Sequence, residues 1–209
     1  MVRSEAETRQ KKGDATREAI VAKALEMAGE IGLEQISIGV LATSLDLSKS
    51  GLFAHFKSKE ALQLAVFDEA VERFSQRVII PALAAPRGEP RVRALFVKKL
   101  DWAEDSGFGK GCFFEALTHE FDDRPGPIRD RLLDAQRDLQ GVVAKAVKLA
   151  VSERHFHANV DPTQFAFEVE GIWAAYQHAY KLFRDKDARA RALRAFDRLV
   201  ADARGPKKS

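Results

Sequence analysis

Cysteine is almost missing from this 209-residue sequence. Cys112 stands alone, so no internal disulfide can form and a reduced, cytoplasmic setting is expected. Long apolar runs are missing too. The longest stretch without a charged residue, Gln35 to Leu45, covers 11 residues, well short of the roughly 20 that cross a bilayer. Residues 1–12 lack the apolar core of a secretory signal, so no membrane partner is expected. Sustained two-residue alternation between hairpin signals is absent, which removes the case for strands. An excess of one charge is lacking as well: 34 Lys and Arg against 31 Asp and Glu leave a formal net charge of +3. Over residues 1–60 the two signs balance at nine each. Composition alone therefore gives no mandate for nucleic acid, and any such case rests on where the charges sit.

What is present is enough apolar material for a core. At 45% apolar and 31% charged residues the chain reads as a soluble globular protein rather than a disordered one. Its seven prolines, at 81, 86, 90, 125, 127, 162 and 206, leave four long intervals between them, and each interval reads as helix. From Ala15 to Ile31 the set Ile20, Ala24, Met27 and Ile31 recurs at helical spacing, followed by Gly32 where a helix end favours positive φ. Further helices are expected over 38–45, 48–55, 59–79, 90–105, 112–121, 127–154, 162–183 and 186–203. The fold class is all-α.

The informative stretch is Ser37 to Leu62. Ser37 suits the cap of a short helix carrying Ile38, Leu41 and Leu45, with the small Ala42 letting a neighbour cross closely. Asp46-Leu47 then makes a tight turn in which Asp46 takes a left-handed conformation at a cost of about 1 kcal/mol. Ser48 caps a second helix that buries Leu52 and Phe56. Two short helices joined in this way form a helix-turn-helix. The second opens with Ser48, Lys49, Ser50 and Gly51, short or flexible polar residues that can approach base edges in a major groove. Lys57, Ser58 and Lys59 surround the start of the next helix, where cations and unsatisfied N–H groups suit phosphate. Lysines at a helix start equally suit plain solvation, and apolar positions at helical spacing equally suit packing.

The run from Gly32 to Leu62 resembles, without a gap, the DNA-binding region of the TetR family of bacterial transcriptional regulators. The likeness is carried by Leu52, Phe53, Ala54, His55, Phe56, Ser58, Lys59 and Glu60, and Thr16 to Gly32 is similar to the family's first helix. The resemblance implies a three-helix reading domain over 14–62, with Thr16, Ser37, Ser48, Lys49, Ser50, Gly51, His55, Lys57, Ser58 and Lys59 at double-stranded operator DNA. Phe53 stands where the family commonly has tyrosine, Gly39 at an often polar position, Gly51 where threonine is frequent, and Asp46 in place of the turn glycine. Residues 1–13 are then expected as a flexible arm, in which Arg3, Arg9, Lys11 and Lys12 are candidates to track a groove, and 205–209 as a flexible tail.

The resemblance further implies that residues 63–204 form a helical domain that binds a small effector and pairs two chains. Candidate effector contacts are Phe96, Trp102, Phe113, Phe114, Phe121, Trp173, Tyr176 and Tyr180, with Glu115, His119 and Gln177 as polar groups. Such a stripe equally serves as ordinary core. Gly171, Ala174, Ala175 and His178 form a small-residue face, and with Leu193, Phe196 and Val200 they are assigned to the seam of a homodimer.

Signs of catalysis are missing. Cys112 has no evident base, Glu115 and His119 occur once and four apart, and His155 and His157 lack further ligands, so neither a metal nor another cofactor is expected. No phosphate-cradling glycine loop or nucleophile elbow occurs. The function expected is therefore a ligand-responsive transcriptional repressor, not an enzyme, released from a palindromic operator by a small apolar or aromatic effector. A transcriptional activator, a helical small-molecule-binding protein that leaves its DNA scaffold unused, and a helical enzyme working through His119 or Glu115 are the alternatives.

Overall fold

The computed structural model describes residues 5–107 and 111–204. Among the described residues every regular element is helical. In chain order these are α1 (Glu5–Ile31), α2 (Ile38–Leu45), α3 (Lys49–His55) and α4 (Lys59–Phe74), then a π-helical turn (Ser75–Ile79) and α5 (Ile80–Leu83). They are followed by α6 (Glu89–Glu104), α7 (Phe113–Phe121), α8 (Pro127–Ser152), α9 (Pro162–Gln177), a second π-helical turn (His178–Leu182) and α10 (Ala188–Arg204).

The chain divides into two compact units, and the break falls inside α4 between Glu72 and Arg73 rather than at residue 62. The first unit also takes in Ala116–Asp130; the second holds Arg73–Ser106, the start of α7 and the chain from Arg131 onward.

In the first unit α1 begins at Glu5, so residues 5–13 of the expected arm are helical. The reason is compositional: Glu, Ala, Lys, Gln and Arg dominate this segment, and Gly13 alone, costing about 1 kcal/mol, does not interrupt it. Residues 1–4, among them Arg3, and the tail 205–209 lie outside the described residues, as do the side chains of Arg9, Lys11 and Lys12. Ile20, Val21, Ala24, Leu25 and Ala28 form the buried face of α1, while Ile31 is exposed. Gly32 ends the helix at φ 88°, its N–H donating to the Ala28 carbonyl at 3.0 Å. Leu33 and Ile36 then turn fully inward.

The helix-turn-helix forms by local chemistry. The Ser37 hydroxyl accepts the Val40 N–H at 3.2 Å, and the Ser48 hydroxyl accepts the Gly51 N–H at 3.0 Å, each satisfying an orphan donor at a helix start. Asp46 closes α2 at φ 53°, ψ 41°, the left-handed region that the turn demands. Leu41, Ala42, Leu52 and Phe56 are buried, so α2 and α3 are held at a fixed angle by their own small core.

In the second unit Phe96 stacks on Phe196 with ring centroids 4.2 Å apart, and Phe74 meets Trp102 edge-on at 5.4 Å. Pro81 lies two residues after the π-helical turn, in a helix that continues from it through Ile79 and Ile80, so its missing N–H removes one bond of the helical ladder. α6 starts at Gly88, φ 91°, and the Glu89 N–H donates to His155 Nδ1 at 3.1 Å. A side chain at Gly88 would place its Cβ 2.1 Å from that nitrogen, so glycine is required there. α9 and α10 pack against each other.

Candidate DNA-reading surface and effector site

The N-terminal turn of α3 is open to solvent: Ser48, Lys49, Ser50 and Gly51 are all exposed. Ser48 Oγ lies 3.2 Å from Ser50 Oγ while it caps Gly51. A serine that accepts a backbone N–H keeps its own hydroxyl hydrogen for an outside acceptor, so capping and contact with DNA are compatible. The Lys49 ammonium lies over Gly39, where an added Cβ would sit 3.7 Å from its Cε. Lys57 is exposed, and the exposed Ser58 caps α4 by accepting the Ala61 N–H at 3.0 Å. His55 and Thr16 are half-buried. Lys59 departs from the simple phosphate clamp that its position suggests, because its ammonium pairs with Glu34 at 2.9 Å. Hydrogen bonding from Lys59, outweighing the opposing effect of partial burial, holds the Glu34 carboxyl below its usual range.

Several first-unit features escape sequence reasoning. Glu120 accepts the N–H groups of Leu33 and Glu34 at 3.1 and 2.8 Å, and Gln63 donates to the Leu33 carbonyl at 2.8 Å. The loop that delivers the chain into α2 is thus held from both sides. Arg17 lies over the Phe56 ring, 4.9 Å from its centroid. Val40, Leu47 and Phe53 are exposed apolar residues on α2, the turn and α3, at 42%, 42% and 54%. Phe53, at the position where the resembled family commonly has tyrosine, is thus exposed beside the buried Leu52; Glu120 carries no local signal.

The candidate effector residues do not gather into one place. Phe96, Trp102, Phe113, Trp173, Tyr176 and Gln177 are buried in the second unit, with Phe114, Glu115 and Tyr180 half-buried there. His119 and Phe121 belong to the first unit instead, and His119 is exposed. The nine-residue α7 runs through the division, which a reading of its apolar face alone does not show. Trp173, Tyr176 and Tyr180 form a ring series, with centroids 5.5 Å apart for Trp173 and Tyr176 and 5.4 Å for the stacked tyrosines. The Tyr176 hydroxyl donates to Glu104 at 3.0 Å; burial and the Glu104 charge push its phenol up.

Gln177 turns its Oε1 to the Cys112 N–H at 2.9 Å, while its buried Nε2 has no hydrogen-bond partner. Cys112 is buried, and burial pushes its thiol up, which keeps it neutral. Lys99 carries no local sequence signal of a partner. This buried lysine donates to both oxygens of Glu170, at 2.8 and 3.0 Å, and its ammonium sits 4.4 Å from the Trp173 ring centroid. Among the described residues no group of three or more His, Cys, Asp or Glu is placed to hold a metal ion, and no described helix is long and apolar enough to cross a membrane.

The family model for bacterial regulatory proteins of the tetR family matches residues 20–66, and the model for tetracyclin repressor-like C-terminal domains matches residues 88–196, over half of the chain. The protein belongs to the TetR family.

Solved structures agree on the fold. A TetR-family transcriptional regulator from Cytophaga hutchinsonii superposes with a TM-score of 0.81 at 20% identity, over 94% of this chain and 98% of that one. A TetR transcriptional regulator from Chloroflexus aurantiacus gives 0.80 at 23%, over 91% and 94%. AibR, solved with isovaleryl coenzyme A and operator DNA, gives 0.67 at 22%, over 91% and 99%. Among curated proteins none matches the sequence. TetR-family regulators are non-enzymatic transcription factors, generally ligand-responsive and mostly repressors.

One face of this TetR-family chain remains uncovered. Gly171, Ala174, Ala175 and His178 are exposed on α9 and the turn after it, beside a groove of about 740 Å³ between α9 and α10 whose walls include Phe167, Ile172, Ala195 and Leu199. Phe167 is 70% exposed. Leu193 is half-buried, but Phe196 and Val200 are fully buried inside their own chain, Phe196 beneath Phe96. These two expected seam residues are therefore closed to a second copy, whereas Phe167 and Leu199 line the open groove.

Proposed function

We propose that this TetR-family protein is a cytoplasmic, homodimeric repressor that binds a palindromic operator and leaves it when a small apolar or aromatic effector enters the second unit. The observation that carries the reading is the exposed, Ser48-capped start of α3, where Ser48, Lys49, Ser50 and Gly51 are offered to a groove while Leu52 and Phe56 anchor the helix from behind. Lys49 and Ser50 read bases; Lys57, Ser58, Lys59, His55, Thr16 and Ser37 hold phosphates. AibR, a structural relative, has been solved with both an acyl coenzyme A and operator DNA, which supports a chain of this fold taking both kinds of ligand.

The exposed α9–α10 groove supports pairing of two copies. Gly171, Ala174 and Ala175 allow helix axes to approach closely, while Phe167, Ile172 and Leu199 supply apolar area. A dimer presents its two α3 helices one helical turn of DNA apart, about 34–36 Å, or a multiple of it. Release is then a linkage: an effector that prefers a conformation with the heads wrongly spaced weakens operator binding, and operator DNA weakens effector binding by the same factor. Selection of genomic DNA fragments on the purified protein tests the reading, with a palindromic site as the expected product.

A further inference from the structure

The short helix α3 buries one side and opens the other. Leu52 and Phe56, four residues apart, are its buried anchors, and Ser50 and Ala54, on the opposite arc, are exposed. Phe53 departs from this division, because its phenyl ring is more than half exposed and so forgoes most of what burying it would contribute. A single exposed apolar residue is ordinary on a protein surface, so exposure by itself identifies nothing. Its placement does.

Phe53 lies four residues after Lys49 and three after Ser50, so the three share one face of α3. Helical side chains lean toward the N-terminus, which carries the ring over the turn that holds Lys49 and Ser50. That is the turn a helix-turn-helix directs at base edges. The next aromatic residue along the chain is already engaged: Phe56 lies under the Arg17 guanidinium at 4.9 Å, with the His55 ring at 6.5 Å. Phe53 has no ring or cation against it among the described residues. Leu47, also exposed, has a local role open to it, since it precedes the cap Ser48, from where an apolar side chain can staple to Leu52.

The chemistry of the major groove narrows what such a ring can meet. Base edges there present hydrogen-bond donors and acceptors, with one apolar exception, the 5-methyl group of thymine. A phenyl ring offers nothing to the polar edges, and it lacks the hydroxyl that tyrosine, common at this position in the family, would extend to a phosphate. Set beside a lysine and a serine that can take the polar edges, it adds affinity through apolar contact alone.

We propose that Phe53 is a specificity-determining residue that packs on the 5-methyl group of a thymine in each operator half-site. This rests on the reading of α3 as the helix that enters the major groove, and it adds one base to that reading together with the group by which the base is recognised. Thymine is thereby preferred over cytosine, whose edge lacks the methyl group. Packing of the ring on deoxyribose would carry no such preference.

The test uses the full-length protein and the duplex it enriches most from fragmented genomic DNA. Each thymine of that duplex is replaced in turn, in both half-sites together, by deoxyuridine, which differs only in lacking the methyl group. In anisotropy titrations wild type is expected to lose about fivefold to twentyfold in affinity at one thymine position, as two uncovered methyl contacts imply, and less than about twofold elsewhere. Phe53→Ala is expected to bind the unmodified duplex more weakly by a similar factor and to be indifferent, within about twofold, to the same deoxyuridine. Phe53→Leu, which keeps an apolar side chain, is expected to retain part of the sensitivity. The ring is exposed, so neither variant removes core packing. The proposal is overturned by an enriched half-site without thymine, by tolerance of deoxyuridine within about twofold at every position, or by a methyl effect as large in Phe53→Ala as in wild type. A loss in Phe53→Ala that is equal on enriched and scrambled duplexes overturns it too and assigns the ring to deoxyribose. Any of these results on a duplex that still requires Lys49 and Ser50 leaves the regulator reading standing; failure to enrich any duplex removes that reading and the proposal with it.

Discussion

Glu120 accepts the backbone N–H groups of Leu33 and Glu34 through its two carboxylate oxygens, at 3.1 and 2.8 Å, across 87 and 86 residues of sequence. These N–H groups belong to the loop that ends α1 and leads into α2, and the same loop is held by Gln63 through the Leu33 carbonyl. Glu120 thereby fixes where the helix-turn-helix begins. Glu120→Gln replaces one acceptor oxygen by a donor that faces an N–H, and it is expected to destabilise the protein by about 1–3 kcal/mol. Denaturant titration checks this, and a midpoint equal to that of wild type contradicts it.

Lys49 and Lys59 differ in their surroundings and so in the effect of removing them. Lys49→Ala is expected to change which operator variants are preferred, because its ammonium stands at the open start of α3. Lys59→Ala is expected to weaken binding to all sequences about equally and to reduce the salt dependence by about one phosphate contact. It also releases Glu34, leaving a carboxylate near the DNA, so the loss should exceed that of Lys57→Ala. Titrations of matched and scrambled duplexes at several salt concentrations distinguish these outcomes; identical behaviour of Lys49→Ala and Lys59→Ala contradicts the assignment.

Glu89 supplies a pH dependence whose sign is fixed. Burial pushes its carboxyl up, but hydrogen bonds from Arg204 and Arg93 together outweigh it, so the folded pKa lies below the ordinary 4.5. A depressed carboxylate stabilises the fold above its unfolded pKa, and that contribution disappears as pH falls through the folded value. Glu89→Gln is expected to cost about 1–2 kcal/mol at pH 7, modest because both arginines are partly exposed. The gap between wild type and Glu89→Gln should narrow as melts are taken from pH 6 to about pH 3.5. A gap that widens on acidification contradicts the assignment.

Asp46 sits at φ 53°, ψ 41°, where an aspartate is strained and glycine is not. Asp46→Gly is expected to stabilise the protein by up to about 1 kcal/mol, read as a raised denaturation midpoint, with α3 and operator affinity unchanged. A lowered midpoint would mean that the aspartate side chain contributes more than its backbone costs.

The parts of the fold that were legible in the sequence are the local ones. Ser37, Ser48 and Asp46 act on backbone groups within a few residues of themselves, so the short helices and the turn between them can be read directly. Helical periodicity located the apolar faces but not their partners. Phe196 and Val200 lie on such a face and by spacing alone suit a second copy, yet Phe96 of the same chain covers Phe196 at 4.2 Å. By the same limit, composition alone sets His119 and Phe121 beside Trp173 although they lie in the other unit. Glu120 and Lys99 have partners 87 and 71 residues away, and no spacing rule reaches that far. Lys99 left one trace, a cation within the run Leu95, Phe96, Leu100 and Trp102, all of which are buried.

The most direct test of the regulator reading is to incubate the purified protein with fragmented DNA of its source genome at about 0.15 M salt, where screening is physiological, and to sequence what is retained. The account predicts enrichment of a palindromic site, lost in a variant carrying Lys49→Ala and Ser50→Ala together. Uniform recovery of all fragments that vanishes with modest added salt would leave only the phosphate attraction and contradict it.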